Sequence, residues 1–214
     1  AQFDAGKALA LLPDASLPDS PARSFARAHL QRAGELDGNF KTSWLVLIHL
    51  DCRAGLGGDP AMVAELAWRL KETPFGPGDS TILYALKEMS IDGSLCLARP
   101  EVERLFAAAQ ANPRVGSHPR MLMHSWLADY FALKARDLPA AEAEIDRALA
   151  ISPHNPSNRL KRAQMDFLQG RYKEAAGRLD GLRDSALVSD ERKTMAQLQA
   201  CLASDNPAKG CAGI

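Results

Sequence analysis

The side chains able to do chemistry in this chain are few and widely spaced. Five histidines stand at His29, His49, His118, His124 and His154. None has the H-x-x-x-H or H-E-x-x-H spacing that sets two imidazoles on one helix face to hold a metal. The four cysteines, Cys52, Cys96, Cys201 and Cys211, include no C-x-x-C pair, so a clustered thiolate site for zinc is not expected either. Gly55-Leu56-Gly57-Gly58-Asp59 is glycine-rich but lacks the Gly-Lys-Ser/Thr of a phosphate loop, and no strand pattern precedes it. It reads as a helix stop. No G-x-S-x-G occurs, and Pro156 after Asn155 removes a glycosylation signal. Glu142, Glu144 and Asp146 alternate beside Arg147 and read as a solvated helix face. No catalytic residue, metal or cofactor is therefore expected. A deep pocket holding a paired acid and base would reverse that expectation.

The cysteines point instead to oxidation. Cys201 closes a predicted helix, and the Pro and Gly of Ser204-Asp205-Asn206-Pro207-Ala208-Lys209-Gly210 let the tail fold back toward it, which brings Cys211 near. Cys52, in a helix, and Cys96, in a loop, pair if their hairpins touch. An even count suits an oxidising compartment. Buried free thiols are the other reading, because cysteine also serves as a small core residue.

Lys plus Arg and Asp plus Glu each number 26, so the net charge is zero, which argues against a nucleic-acid or anionic-membrane surface. An apolar fraction of 46% is enough for a packed core. The longest apolar run, Trp44 to Ile48, falls far short of a membrane span. The chain has no initiator Met and no signal peptide, and residues 1–12 look like the second helix of a hairpin whose first is missing. We expect a piece of a longer protein, excised or matured by cleavage.

Helix punctuation is dense. Asp19-Ser20-Pro21 and Asp59-Pro60 read as caps followed by a proline in the first turn. The periodicity predicts helices near 1–12, 21–36, 44–54, 60–71, 80–89, 100–112, 119–135, 139–151, 157–169, 172–183 and 189–203. No stretch alternates with a strand period. The expectation is an all-α chain of antiparallel hairpins, one domain over 1–203 and a flexible tail over 204–214. Trp68 and Trp126 read as helix-packing residues.

Small residues recur about five positions before a helix stop, ahead of Pro13, Gly38, Pro113 and Pro153. The run Gly170-Arg171-Tyr172-Lys173-Glu174-Ala175-Ala176, with Ala163 seven residues before Gly170, resembles the turn and second helix of a tetratricopeptide (TPR) repeat. Trp126-Leu127-Ala128, Phe131, Asp137, Ala141, Ile145, Ala148 and Pro153 follow the same order, with one extra residue in the turn and Arg136 where a glycine is usual. Trp44, Leu47 and Gly55 stand at that spacing too. So do Ala26, Leu30 and Ala33 for a second helix. The resemblance implies a short, irregular TPR-like solenoid that binds rather than catalyses. It also implies a concave groove lined by Thr42, Leu45, His49 and Arg53, by Ser125 and Asp129, and by Ser157, Leu160 and Gln164. Such a groove suits a protein or peptide segment.

A loop Asp92-Gly93-Ser94-Leu95-Cys96-Leu97, a helix from Pro100 to Phe106 and then two TPR-like units resemble the extracytoplasmic tail of some bacterial polytopic membrane proteins. Those proteins are similar to lipid-linked-sugar glycosyltransferases. The resemblance implies an interaction domain of a cell-envelope glycan protein, periplasmic and attached to a membrane domain. The alternatives are a spacer packed on its own membrane segment, a free periplasmic adaptor, or a cytoplasmic location.

Overall fold

The computed structural model describes residues 1–37, 39–182 and 187–204. All regular structure among them is helical. The expected tail, apart from Ser204, and the Cys211 end of a Cys201–Cys211 bridge lie outside the described residues. The backbone contacts separate into two compact units, the first ending at Pro119 and the second beginning at Arg120.

In the first unit, α1 (Gln2–Ala10) is followed by a 3-10 turn (Pro13–Ser16), α2 (Pro21–Leu36) and α3 (Thr42–Arg53). Then come α4 (Pro60–Glu72), α5 (Pro77–Asp92) and α6 (Arg99–Gln110). Neighbours in sequence pack on one another from α1 to α4; α6 then packs on α4, while α5 touches α3 and α6. The caps act as the sequence suggests. Ser20 accepts from the Ala22 amide at 3.1 Å, and Asp59 from that of Ala61 at 2.9 Å. The fifth helix starts at Pro77, earlier than the predicted residue 80, with Asp79 as its third residue. Its carboxylate reaches back to the Gly76 amide at 2.9 Å, half of a capping box.

Small residues set the close crossings. A Cβ on Gly6 of α1 would lie 3.0 Å from the backbone nitrogen of Leu30 in α2, and one on Gly34 would lie 2.6 Å from the Trp44 indole nitrogen. Leu30, Leu47, Ile48, Leu66, Leu70, Leu105 and Phe106 fill the interior without exposure. Arg23 and Arg27 converge on the buried Asp51 carboxylate and tie α2 to α3. A disulfide joins Cys52 to Cys96 and pins the segment before α6 to α3. Trp68 departs from expectation. It is 54% exposed, with the Arg69 guanidinium 5.9 Å from its ring.

α7 (Ser117–Tyr130) runs from the end of the first unit into the second. It continues as a π-helical turn (Phe131–Ala135), followed by α8 (Leu138–Ile151), α9 (Pro156–Leu168), α10 (Tyr172–Asp180) and α11 (Ser189–Leu202). That makes eleven α-helices among the described residues. Successive helices from α8 to α11 pack on one another, and α11 also touches α9. Asn155, ahead of Pro156, caps α9 through the Asn158 amide at 2.9 Å, and Asp137 caps α8 through Ala140 at 3.0 Å. Ala141, Ala148, Ala163 and Ala175 are all at 0% exposure, as residues at helix crossings must be. Leu160, Phe167, Leu179, Leu182 and Leu198 close the core between α9, α10 and α11.

α7 passes toward α8 through the π turn, where the helix is wider than an α-helix. The Asp137 amide then reaches the Phe131 carbonyl at 2.9 Å. Arg136 closes this turn at φ +55°, and Gly170 closes the α9–α10 turn at φ +76°. Arg136 is the one non-glycine residue with positive φ among the described residues.

Candidate functional site

The second unit contains a solvent-open cleft of about 400 Å³ between the end of α7 and α9. Two helical stripes line it. Asp129, Ala132, Leu133 and Arg136 come from α7 and its π turn; Lys161, Gln164, Met165 and Leu168 come from α9. Spacings of three and four residues place each set on one helix face. Leu138 adds apolar surface from the start of α8. Leu133 and Leu168 are 56% and 44% exposed, unusual for leucines inside a concavity unless something else covers them.

One wall is electrostatically closed. The Lys161 ammonium donates to Asp129 at 2.8 Å and to the Ser125 hydroxyl at 2.9 Å. Ser125 and Asp129 are one turn apart on α7, so a single cation spans both. A serine beside a lysine is one arrangement for a nucleophile and its base. Here the Lys161 ammonium is shared with Asp129, and Ser125 is only 5% exposed. The trio orders a wall. The opposite lip is electrostatically open: neither the Arg136 guanidinium nor the Gln164 amide has a hydrogen-bond or ion-pair partner among the described residues.

About 100° around α9 from this stripe, a charge network fixes the helix. Arg162 reaches Glu142 and Asp146 of α8 and Asp166 one turn on. Asp166, with its side chain 1% exposed, also meets Arg171 at 2.7 Å and Arg178 of α10 at 2.5 Å. Burial pushes the Asp166 carboxyl up, but the hydrogen bonds from Arg178 and Arg171 and the charge of Arg162 outweigh it, so it sits below its ordinary value. Glu142 behaves alike: burial raises it, while Gln169, Arg171 and Arg162 bring it below the usual carboxylate range. On α8, Glu144 is buried between His124, at 2.7 Å, and Arg147. These pairs hold α7, α8, α9 and α10 in register, so the cleft has rigid walls.

Of the nine residues the sequence nominated for a groove, Asp129 and Gln164 line the cleft and Ser125 buttresses it. Ser157 stands in the first turn of α9, outside the cleft lining. Leu160 is 2% exposed and belongs to the core. Thr42, Leu45, His49 and Arg53 all lie on α3 in the first unit. Thr42 borders a recess of about 360 Å³ where the buried Lys41 is spent on Asp79, at 2.8 Å, and the Pro74 carbonyl. Leu45 is 4% exposed. His49 faces the Ser94 carbonyl at 3.2 Å. Burial lowers the His49 pKa, the Ser94 contact opposes that, and the charge of Arg53 adds to it. Arg53 donates to the Ala10 carbonyl at 2.9 Å.

Sequence reasoning missed Lys161, Leu133, Met165 and Leu168, and read Arg136 only as a turn residue. The signal was present as stripes at 125, 129, 132, 133 and 136, and at 161, 164, 165 and 168. Each mixes apolar with polar side chains, so neither stands out as a core face.

Among the described residues no helix is long and apolar enough to cross a membrane, and no group of three or more His, Cys, Asp or Glu is placed to hold a metal. Compared with family models, curated proteins and solved structures, the chain matches none. The class defined by the structure is therefore an all-helical chain of helices packed largely in consecutive pairs.

Proposed function

We propose that this chain is a non-catalytic protein–protein interaction domain of TPR-like hairpins that receives a peptide segment in the cleft between α7 and α9. The observation that carries this reading is the cleft's makeup. It joins exposed Leu133 and Leu168 to a Gln164 amide with an unused donor and acceptor. A peptide offers just those complements, apolar side chains and backbone amide groups. Left-handed turns at Arg136 and Gly170 and fully buried alanines at 141, 148, 163 and 175 support the repeat reading for this half of the chain.

The Cys52–Cys96 disulfide supports an oxidising, extracytoplasmic location. A place on the periplasmic side of a bacterial inner membrane, within a larger membrane protein of cell-envelope glycan assembly, rests on the resemblance of residues 92–106 and the two units after them.

The test is a random peptide-display library panned on the whole 214-residue chain without reductant. Enriched peptides should lose binding on Leu168→Asp and keep it on Leu36→Asp, a change at an exposed position of the first unit. No enrichment, or enrichment indifferent to Leu168→Asp, overturns docking in the cleft and favours a spacer that packs on its own membrane segment.

A further inference from the structure

We propose that the cleft selects an acidic segment of a partner protein, seating an apolar side chain against Leu133, Met165 and Leu168 and pairing a neighbouring carboxylate with Arg136. This rests on the docking reading above and gives it a chemistry.

Charge complementarity carries it. Three charged residues line the cleft. Asp129 and Lys161 neutralise one another at 2.7 Å. Arg136 has no partner among the described residues, so the cleft carries one uncompensated positive charge. The chain as a whole is neutral, so this excess is a local feature rather than general basicity.

The backbone at Arg136 is an independent observation. Its φ of +55° is a conformation that glycine adopts without cost, and the corresponding turn of the next hairpin has Gly170. An arginine placed there accepts strain that a glycine would avoid. Its fork of N–H groups matches a carboxylate in bidentate fashion. The Gln164 amide sits among the apolar residues and suits the peptide group between anchor and acid, which favours a protein segment over a free fatty acid.

Three synthetic hexapeptides test the idea: acetyl-Gly-Asp-Leu-Leu-Asp-Gly-amide and its Asn and Lys counterparts. Each is titrated into the whole chain and followed by amide chemical shifts. The acidic peptide should bind about tenfold more tightly than the Asn peptide, the size of one charge-assisted hydrogen bond. The Lys peptide should bind more weakly still. Shifts should centre on residues 129–138 and 161–168. Arg136→Gln and Arg136→Gly should each reduce the preference to twofold or less, while Lys173→Gln at an exposed site of α10 should leave it intact. Equal binding of the acidic and Asn peptides in the cleft overturns the acid selectivity and leaves docking standing. No shift at these residues with any of the three overturns both.

Discussion

Replacing Arg136 with glycine should make the second unit more stable. A non-glycine residue in the left-handed region costs about 1–2 kcal/mol, and Arg136 stands there at φ +55° with no ion pair to offset it. Glycine removes that cost but adds freedom to the unfolded chain, worth about 0.5–1 kcal/mol. The net expectation for Arg136→Gly is stabilisation by about 0.5–1 kcal/mol. The companion change, Gly170→Ala, should destabilise by about 1 kcal/mol. An added Cβ at Gly170 meets nothing within 4 Å, so its whole effect is conformational. Because the chain forms two units, a single unfolding midpoint would mix them. Native-state hydrogen exchange of α8 and α9 amides reads the relevant unit directly. Their exchange should slow about two- to fivefold in Arg136→Gly, by the usual conversion of free energy to an equilibrium constant. Unchanged or faster exchange would refute the reasoning, since Arg136 would then be making contacts worth as much as its strain.

Three other outcomes follow from the packing and the charges. Gly6→Ala should cost about 1–3 kcal/mol in the first unit, because its Cβ would press on the Leu30 backbone nitrogen at 3.0 Å, which no side-chain rotation relieves; urea unfolding with the α1–α3 amides as probes checks this, and wild-type stability would show that the crossing relaxes freely. Cys52→Ser removes a link across a sequence separation of 44 and should cost about 2–4 kcal/mol, read by urea unfolding with the α3 and α6 amides as probes; wild-type stability would show that the link does not constrain the unfolded chain. Asp166→Asn should cost about 3 kcal/mol at pH 7, since Arg162 keeps Glu142 and Asp146 but loses the buried carboxylate. The folded values of Asp166 and Glu142 lie below their ordinary 3.8 and 4.5, so their stabilisation is full above pH ~4.5 and disappears as pH falls through the lower folded values. Wild-type and Asp166→Asn melting curves should therefore converge as pH falls through the lowered folded value of Asp166; a gap that persists in strong acid would assign the loss to packing rather than charge.

What could be read in the sequence was mostly local. Ser20 and Asp59 announce helices because a side-chain oxygen and a following proline act within three residues, and the caps form where they were expected. The start of α5 was placed three residues late because an acidic residue such as Asp79 serves equally as a cap or as the third helical residue, and only the Gly76 amide decides between them. Leu45 and Leu160 were placed in a groove because a repeat pattern gives a helix face without saying how far its neighbours close over it. Leu160 shares its core with Leu179 of α10 and Leu198 of α11. The Cys52–Cys96 pair depended on whether two hairpins touch, again a tertiary matter.

The cleft was half legible for a related reason. Asp129 and Gln164 were named, whereas Lys161, a side chain that joins the two stripes, was not, since its partners Ser125 and Asp129 lie 36 and 32 residues away. Arg136 is the instructive position. Under the TPR resemblance it stands where a glycine is usual. In the structure the chain still makes the left-handed turn that glycine would have made, and the strained residue lies at the lip of the cleft with its charge unpaired. Strain kept where a cheaper residue would serve is best explained by what the side chain does. If Arg136→Gly is both more stable and indifferent to acidic peptides, stability and recognition trade against each other at a single residue, and the departure from the repeat pattern marks the binding site.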